Sequence, residues 1–313
     1  MIETKNQRIA YGETLVELGK ENENIVVLEA DLGKSTMGIK YQAAYPERFY
    51  EMGIAEANMA GTAAGLSLVG KIPFMASFAV FATGRCYDQI RTAICVPKLN
   101  VKICGSSAGL SDFGDGSTHQ SVEDVATMRA LPNMQVFIPA DGVQTAQIVR
   151  YMASHDGPMY LRINRNDLPV YTSEDTEFVP GRIYTVREGT DAVVFAYGVM
   201  ISKAMEAAEK LEKEGISVRV VNVPSIKPIC KESVLDVCSK VRGIVTAEEG
   251  SVLGGLGSVI AETIVGELEK RIQMVGIHDE FGTSAANYDE LLQHYGLTSE
   301  AIVAAVRKSL NVK

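Results

Sequence analysis

The 313-residue sequence has no apolar run long enough to cross a membrane, and its first residues lack the apolar core of a signal peptide. Its five cysteines form no Cys-x-x-Cys pair, and an odd number is a poor disulfide framework. Its four histidines are scattered, without the spacing of metal ligands. These absences favour a reducing, cytoplasmic setting and predict no metal site in this chain.

Basic residues are also in the minority. The chain has 30 Lys and Arg against 39 Asp and Glu, a net charge of -9, and a pI near 5.1. This balance argues against a nucleic-acid or membrane surface. The apolar content of 46% is ordinary for a globular protein, and the length suffices for two domains.

Short β-branched runs alternate with longer helical periods, which predicts an α/β fold of two successive domains with mainly parallel sheets flanked by helices. We expect a first domain over 1–170, a polar, turn-rich linker over 171–188 and a second domain over 189–313. The predicted strands are 25–29, 72–76, 101–105, 135–138, 159–163, 192–196, 218–221, 243–247 and 273–277. Helices are predicted to start near 7, 55, 80, 121 and 143, and to cover 200–214, 231–239, 256–270 and 299–309.

Glu56 is the only carboxylate between residues 52 and 61, among apolar and small side chains that predict burial. A buried carboxylate costs several kcal/mol unless a partner uses it. By itself, Glu56 fits the first turn of a helix, where a negative charge offsets the macrodipole. A catalytic role is the alternative, and it depends on other segments.

Two further segments with candidate residues follow predicted strands. Asp31 and Ser35 lie just beyond the first strand, where parallel sheets bind ligands, although a simple turn is as good an explanation. Phe78 and Phe81, three residues apart on a predicted helix, fit a core position more often than a ring-stacking platform.

The long, glycine-rich loop over 105–119 carries Asp115 and His119, and a loop of this kind is usually functional. His119 is suited to proton transfer or to hydrogen bonding. The triplet at 114–116 lacks a suitably spaced asparagine, so we interpret it as a loop and not as a metal motif.

Arginines form a basic group, with Arg8 near the start and Arg162 and Arg165 after the fifth predicted strand. Guanidinium groups fit phosphate with paired hydrogen bonds, although each of these arginines alone fits an ordinary surface position. The glycine-rich segment 248–257 lacks a Walker lysine and dinucleotide spacing, so we interpret it as a tight strand-to-helix turn.

Together the segments resemble the C-terminal half of the transketolase family, over the whole length of the chain. The motifs that carry the resemblance are Gln7-Arg-Ile-Ala-Tyr-Gly, Ala30-Asp-Leu-Gly-Lys-Ser, Gly53-Ile-Ala-Glu-Ala-Asn-Met, Phe78-Ala-Val-Phe, Asp88-Gln-Ile-Arg, Asp115-Gly-Ser-Thr-His, Leu161-Arg-Ile-Asn-Arg, Ile226-Lys-Pro and Glu248-Glu-Gly. The resemblance implies a pyrimidine-binding domain followed by a transketolase C-terminal domain. It also implies thiamine diphosphate at a subunit interface.

The resemblance implies specific roles for these positions. Glu56 matches the catalytic carboxylate that hydrogen-bonds N1′ of the aminopyrimidine ring, and His119 matches a histidine that assists proton transfer. The other matches are Phe78, Phe81 and Asp31 for the cofactor, and Arg8, Ser35, Asp115 and Arg165 for a sugar-phosphate substrate.

Two departures from the family pattern matter. Ser107 stands where transketolases commonly have a histidine, so the identity of the sugars is open. Nothing in the chain corresponds to the domain that holds the diphosphate and its Mg²⁺ or Ca²⁺. We therefore expect a split transketolase of the pentose phosphate pathway, in which a separate N-terminal subunit completes an α2β2 assembly and two copies of this chain make contact.

Two related enzymes remain as alternatives, the β subunit of a 2-oxoacid dehydrogenase and a deoxyxylulose-phosphate synthase. The segment Ala30-Asp-Leu-Gly-Lys-Ser and the arginines favour ketol transfer over the first. The second shares the loop Asp115-Gly-Ser-Thr-His but normally comes as one long chain. A non-catalytic regulatory subunit is a third alternative. Glu56, Phe81 and Arg165, whose loss would have favoured it, are all present.

Overall fold

The computed structural model describes residues 3–311, which form two large sheets flanked by helices. The strands are β1 (Thr4–Asn6), β2 (Ile25–Glu29), β3 (Phe49–Glu51), β4 (Ile72–Phe78), β5 (Lys102–Ser106), β6 (Gln135–Phe137), β7 (Met159–Arg162), β8 (Asp167–Pro169), β9 (Tyr184–Arg187), β10 (Ala192–Ala196), β11 (Val218–Asn222), β12 (Ser225–Lys227), β13 (Gly243–Ser251) and β14 (Ile272–Ile277). The helices are α1 (Gln7–Glu21), α2 (Gly33–Thr36), α3 (Ile39–Ala44), α4 (Glu56–Leu68), α5 (Ala79–Gly84), α6 (Tyr87–Gln89), α7 (Asp124–Ala130), α8 (Gly142–Ser154), α9 (Met200–Glu212), α10 (Lys231–Ser239), α11 (Leu256–Ile264), α12 (Tyr288–His294) and α13 (Ser299–Leu310). Short 3₁₀ turns cover Pro46–Arg48 and Gly116–Thr118, and a π-helical turn covers Ile90–Cys95.

The first sheet has seven strands in the order β12-β6-β7-β5-β4-β2-β3, and six of them run parallel. Every residue of β2, β5 and β7 is buried, and β2 and β7 are accordingly apolar up to their last residue, without alternation. The carboxyl ends of β2, β4 and β5 meet at one edge, so the segments that follow them lie close together.

Strand β12 comes from the second half of the chain but joins the first sheet. It pairs antiparallel with β6, with Ser225 opposite Phe137. A separate two-stranded sheet joins β1 to β8, so that Thr4 lies opposite Pro169. Both pairings connect segments that are far apart in the sequence.

The second sheet has the order β14-β13-β10-β11-β9 and is parallel except for β9. This edge strand includes residues 184–187 of the predicted linker. One apolar cluster runs from the first sheet into the second and includes Met134, Ile226, Val193 and Ile244. The predicted α/β fold class with mainly parallel sheets is confirmed. Within residues 3–311, no helix combines the length and apolar character needed to cross a membrane.

Candidate active site

Glu56 is the first residue of α4, in the first turn expected from the sequence, and its exposure is only 3%. The approach to α4 is fixed by Glu51 at the end of β3. The Glu51 carboxylate accepts hydrogen bonds from the backbone N–H of Asp31, at 2.8 Å, and of Gly53, at 3.1 Å. Asp31 and Gly53 both have positive φ angles, 59° and 66°, and the carboxylate thus stabilises a backbone conformation that is uncommon for a residue with a side chain such as Asp31.

Arg85 connects Glu56 to the aromatic side chains. Its Nη1 atom donates to Oε1 of Glu56 at 2.9 Å, and its Cζ atom lies 3.9 Å from the centroid of the Phe81 ring. The Arg85 side chain is half-exposed, whereas that of Glu56 is buried. The buried carboxylate therefore has a cationic partner within the chain, which reduces the cost of its burial.

The two phenylalanines do not share a helix, contrary to the expectation from their spacing. Phe78 is the last residue of β4, and Phe81 lies in α5. Their rings stack with centroids 6.1 Å apart and an interplanar angle of 13°. Phe78 is buried and Phe81 is partly exposed, so only the second presents much of its ring to a ligand.

His119 packs edge-on against both rings, with centroid distances of 5.2 Å to Phe81 and 6.2 Å to Phe78. Its Nδ1 atom lies 2.9 Å from Oγ1 of Thr118, which leaves Nε2 as the ring nitrogen suited to exchange a proton with a ligand. Glu56, Arg85, Phe81, Phe78 and His119 thus form one continuous set, which we term the carboxylate–aromatic group.

Arg8 and Arg165 lie close enough for the charge of Arg165 to affect the pKa of Arg8. Burial lowers the pKa of Arg8, and the Arg165 charge lowers it further, whereas Asp112 and Asp167 raise it. Arg8 donates from Nη1 to the backbone oxygen of Ser35 at 2.9 Å, and Arg165 donates from Nη1 to Oδ2 of Asp112 at 2.7 Å. An anion placed between two guanidinium groups would relieve their repulsion.

The remaining sequence-predicted residues contribute few contacts through their side chains. Asp31 and Asp115 are exposed, and neither side chain forms a hydrogen bond to another group within residues 3–311. Ser107 is completely buried with a φ of 50°, and its hydroxyl has no hydrogen-bond partner in the described part of the chain. Ser35 contributes its backbone oxygen to the contact with Arg8.

Asp112 connects the guanidinium pair to the rest of the loop after β5. Burial raises the pKa of its carboxyl, and the charge of Asp115 raises it further, against the lowering effects of Arg165 and His119. Sequence reasoning missed Asp112, Arg85 and Glu51. Each acts through a partner distant in the sequence, and only Asp112 lies within a segment, the loop over 105–119, that the sequence predicts to be functional.

Two other sequence features are structural. Arg162 is buried and donates from Nε to Oδ2 of Asp124 at 2.9 Å, so it is not a free basic group. The turn after β13 binds a carboxylate of the chain itself, since Glu248 accepts from the N–H of Leu256 at 2.7 Å and of Gly257 at 2.8 Å. These amides are therefore not available to a phosphate.

No group of three or more His, Cys, Asp or Glu side chains within residues 3–311 could hold a metal ion. A basic cleft of about 900 Å³ lies at the far edge of the second sheet, but three of the five cations that line it serve local structure. Lys270 donates to carbonyl oxygens at the end of α10 and just after it, Lys240 pairs with Asp236, and Arg242 pairs with Asp191. The carboxylate–aromatic group and the guanidinium pair remain the candidate site.

The candidate site offers a buried carboxylate next to a partly exposed aromatic face, with an imidazole at the edge of that face and two guanidinium groups nearby. A flat, nitrogen-containing ring that displaces the half-exposed Arg85 could stack on Phe81 and hydrogen-bond to Glu56. An anionic group on a second ligand could bind Arg8 and Arg165.

Comparison with known proteins gives matches along most of the chain. Residues 3–170 match the family model described as transketolase, pyrimidine binding domain, and residues 181–302 match that described as transketolase, C-terminal domain. A Methanocaldococcus jannaschii protein designated a transketolase C-terminal section is 42% identical over 310 residues, covering 98% of this chain and 96% of that protein.

A 6-deoxy-6-sulfo-D-fructose transketolase subunit of a Clostridium species is 39% identical over 301 residues, covering 96% of this chain and 93% of that protein. The solved structure of a split gene transketolase, an inactive β4 tetramer, is 49% identical, with a TM-score of 0.89. The match covers 99% of this chain and 100% of that chain.

Proposed function

Since this chain belongs to the transketolase family, we propose that it is the C-terminal subunit of a split, thiamine-diphosphate-dependent transketolase that transfers a two-carbon ketol unit between sugars. The observation that carries the proposal is the environment of Glu56. This carboxylate is buried at the start of α4, beside the half-exposed Arg85 and the partly exposed ring of Phe81.

The residues present fit one end of the cofactor and not the other. Glu56 and Phe81 offer a carboxylate and an aromatic face suited to the aminopyrimidine ring, and Arg85, which contacts both, would have to move aside for that ring to bind. The diphosphate end requires a divalent cation, and residues 3–311 contain no group of three or more His, Cys, Asp or Glu side chains placed to hold one. This asymmetry supports a partner subunit that binds the diphosphate and Mg²⁺ or Ca²⁺.

Thiamine diphosphate, when bound, supplies the carbon nucleophile and the electron sink for two-carbon transfer. Glu56 would hold the shared proton at a nitrogen of the pyrimidine ring, and Phe81, with Phe78 behind it, would fix the plane of that ring. Asp31, in the loop that Glu51 orders, is proposed to border the cofactor. His119 would move a proton at the substrate through Nε2.

The substrate is proposed to be a sugar with an anionic end. Arg8 and Arg165, with the backbone at Ser35, would bind a phosphate, while Asp115 would contact a sugar hydroxyl. A sulfonate has the same tetrahedral shape, and the 39%-identical relative is named for a sulfonated sugar. Phosphorylated ketoses of the pentose phosphate pathway are our first candidates and 6-deoxy-6-sulfofructose is the second.

Assembly is proposed to follow the split arrangement, with two copies of this chain and two N-terminal subunits. The 49%-identical relative is an inactive tetramer of β chains, which is consistent with a β subunit that lacks activity by itself. We expect ketol transfer only after the chain is mixed with its N-terminal partner, thiamine diphosphate and Mg²⁺. Full activity of the chain alone would contradict the proposal.

A second measurement separates cofactor binding from turnover. Thiamine diphosphate with Mg²⁺ should raise the melting temperature of the mixture and leave that of each separate chain unchanged. In the assembled enzyme, Glu56→Gln should lower kcat by about 10²–10⁴-fold, the range expected for loss of a proton-transfer group. The matched control is Glu47→Gln, since Glu47 is exposed and, among the described residues 3–311, pairs only with its neighbour Arg48. Equal activity of E56Q and E47Q would refute the assignment.

A further inference from the structure

We propose that Glu249, a residue of the second sheet, is a positioning residue that holds the loop over 107–120 in place for substrate binding. This inference rests on the proposed function, because that loop carries Asp115 and His119. It assigns the C-terminal part of the chain a role in the active site of the N-terminal part.

Glu249 lies in β13 and is only 2% exposed. One carboxylate oxygen, Oε1, accepts from the backbone N–H of Leu110 at 2.8 Å and from the hydroxyl of Tyr288 at 2.7 Å. The other oxygen, Oε2, accepts from Nδ2 of Asn164 at 3.3 Å. A buried carboxylate with three donors is a rigid anchor, and one of these donors belongs to the loop.

The backbone of the loop is shaped to receive this carboxylate. Gly109 has a φ of 63°, and a Cβ atom there would lie only 2.5 Å from the Glu249 carboxyl carbon. The N–H of Gly109 bonds to the oxygen of Ser121, which closes the loop on itself beside the anchor. A side chain at residue 109 would therefore be strained and would also push the loop away from Glu249.

A second contact holds the far end of the same loop. Gln120 donates from Nε2 to the backbone oxygens of Asp112 and Thr283, both at 3.0 Å. The N–H of Ala285 bonds to the oxygen of Phe113 at 3.0 Å. Thr283 and Ala285 belong to the segment between β14 and α12, so the C-terminal part supports the loop at both ends.

These two supports bracket the residues that we assign to substrate. Asp112, which orients Arg165, lies two residues after Leu110, and His119 directly precedes Gln120. Loss of the Glu249 anchor would let the loop sample other positions without changing any group that touches the substrate. The expected consequence is weaker substrate binding, with the chemical step less affected.

The test compares Glu249→Gln with Tyr288→Phe. Glu249→Gln removes the negative charge that accepts the hydrogen bond from the Leu110 N–H. Tyr288→Phe perturbs the same buried network but leaves the hydrogen bond between Glu249 and Leu110 intact. In the isolated chain, amide hydrogen exchange over residues 107–120 should accelerate at least tenfold in E249Q and less than threefold in Y288F. Equal exchange in the two variants, or no change in E249Q, would overturn the proposal whatever the enzyme's reaction.

Activity of the assembled enzyme provides the link to function. E249Q should raise KM for the donor ketose phosphate at least tenfold and lower kcat less than threefold, with Y288F close to wild type. If E249Q does not fold, Gln120→Ala, which removes the other support, should give the same pattern of exchange and KM. A normal KM in Q120A together with unchanged exchange would overturn the proposal.

Discussion

The contact between Glu56 and Arg85 predicts a measurable coupling free energy. The pair is intermediate between an exposed and a fully buried ion pair, because the Glu56 side chain is 4% exposed and that of Arg85 is 48% exposed. Exposed pairs contribute about 0.2–1 kcal/mol, and breaking a fully buried pair costs about 3–5 kcal/mol. We therefore expect Arg85→Met to lower the free energy of unfolding by about 1–2 kcal/mol, since Met keeps much of the packing on Phe81 and removes only the charge.

A double-mutant cycle isolates this interaction. Glu56→Gln removes the charge of the carboxylate, so Arg85→Met should cost about 1–2 kcal/mol less in the E56Q background than in the wild-type chain. The chain contains no tryptophan, so urea unfolding is best followed by far-ultraviolet circular dichroism. Arg91→Met is the matched control, because Arg91 is exposed and its side chain has no hydrogen bond or ion pair within residues 3–311.

The result that would refute this reasoning is specific. A coupling free energy below about 0.2 kcal/mol, smaller than that of typical exposed pairs, would mean that Arg85 does not compensate the buried carboxylate. An R85M variant as stable as R91M would lead to the same conclusion.

Three further predictions concern other parts of the chain. Burial raises the pKa of Glu248 to about 7, so the folded chain binds this proton more tightly than the unfolded chain, whose pKa is about 4.5. The free energy of unfolding should thus fall by at most about 3 kcal/mol as pH rises between these values, and an unaltered slope in Glu248→Gln would contradict this. Gly38→Ala should destabilise the chain by about 1–3 kcal/mol, because its Cβ would lie 2.1 Å from Oε1 of buried Glu29. Gly61→Ala, in open space on α4, should be neutral or stabilise by up to about 1 kcal/mol, and equal thermal melts of the two variants would refute the steric argument. In the assembled enzyme, Arg165→Ala should raise KM for a ketose phosphate at least tenfold because one guanidinium partner of the anion is lost, and an unchanged KM would exclude this residue from the substrate site.

The central elements of the fold could be predicted from the sequence because their signals are local. The predicted strands 25–29 and 192–196 coincide with β2 and β10, whose buried β-branched residues follow one another without interruption. Strand β12 was missed, since three residues carry little periodicity and their partner β6 lies about 90 residues earlier. The predicted helix over 256–270 ends at Ile264, just before Gly266, which has a positive φ of 78°.

The candidate site could be predicted only in outline. Ordered motifs identified Glu56, Phe81 and His119, which the structure places in one continuous set. Arg85 and Asp112 could not be identified, because an ion pair between distant residues leaves no pattern in a single sequence. For the same reason, the contact between Glu249 and Leu110, 139 residues apart, became apparent only in three dimensions.

The pairing of β12 with β6 also bears on solubility. Without β12, β6 would be the outer strand of the first sheet, and its free N–H and C=O groups could recruit strands from other molecules. β12 is only three residues long and is followed at once by Pro228, which has no N–H to donate. This edge therefore offers few backbone hydrogen-bonding groups to a strand from another molecule. Any event that unfolds the C-terminal part would expose β6 and turn a protected edge into a starting point for aggregation.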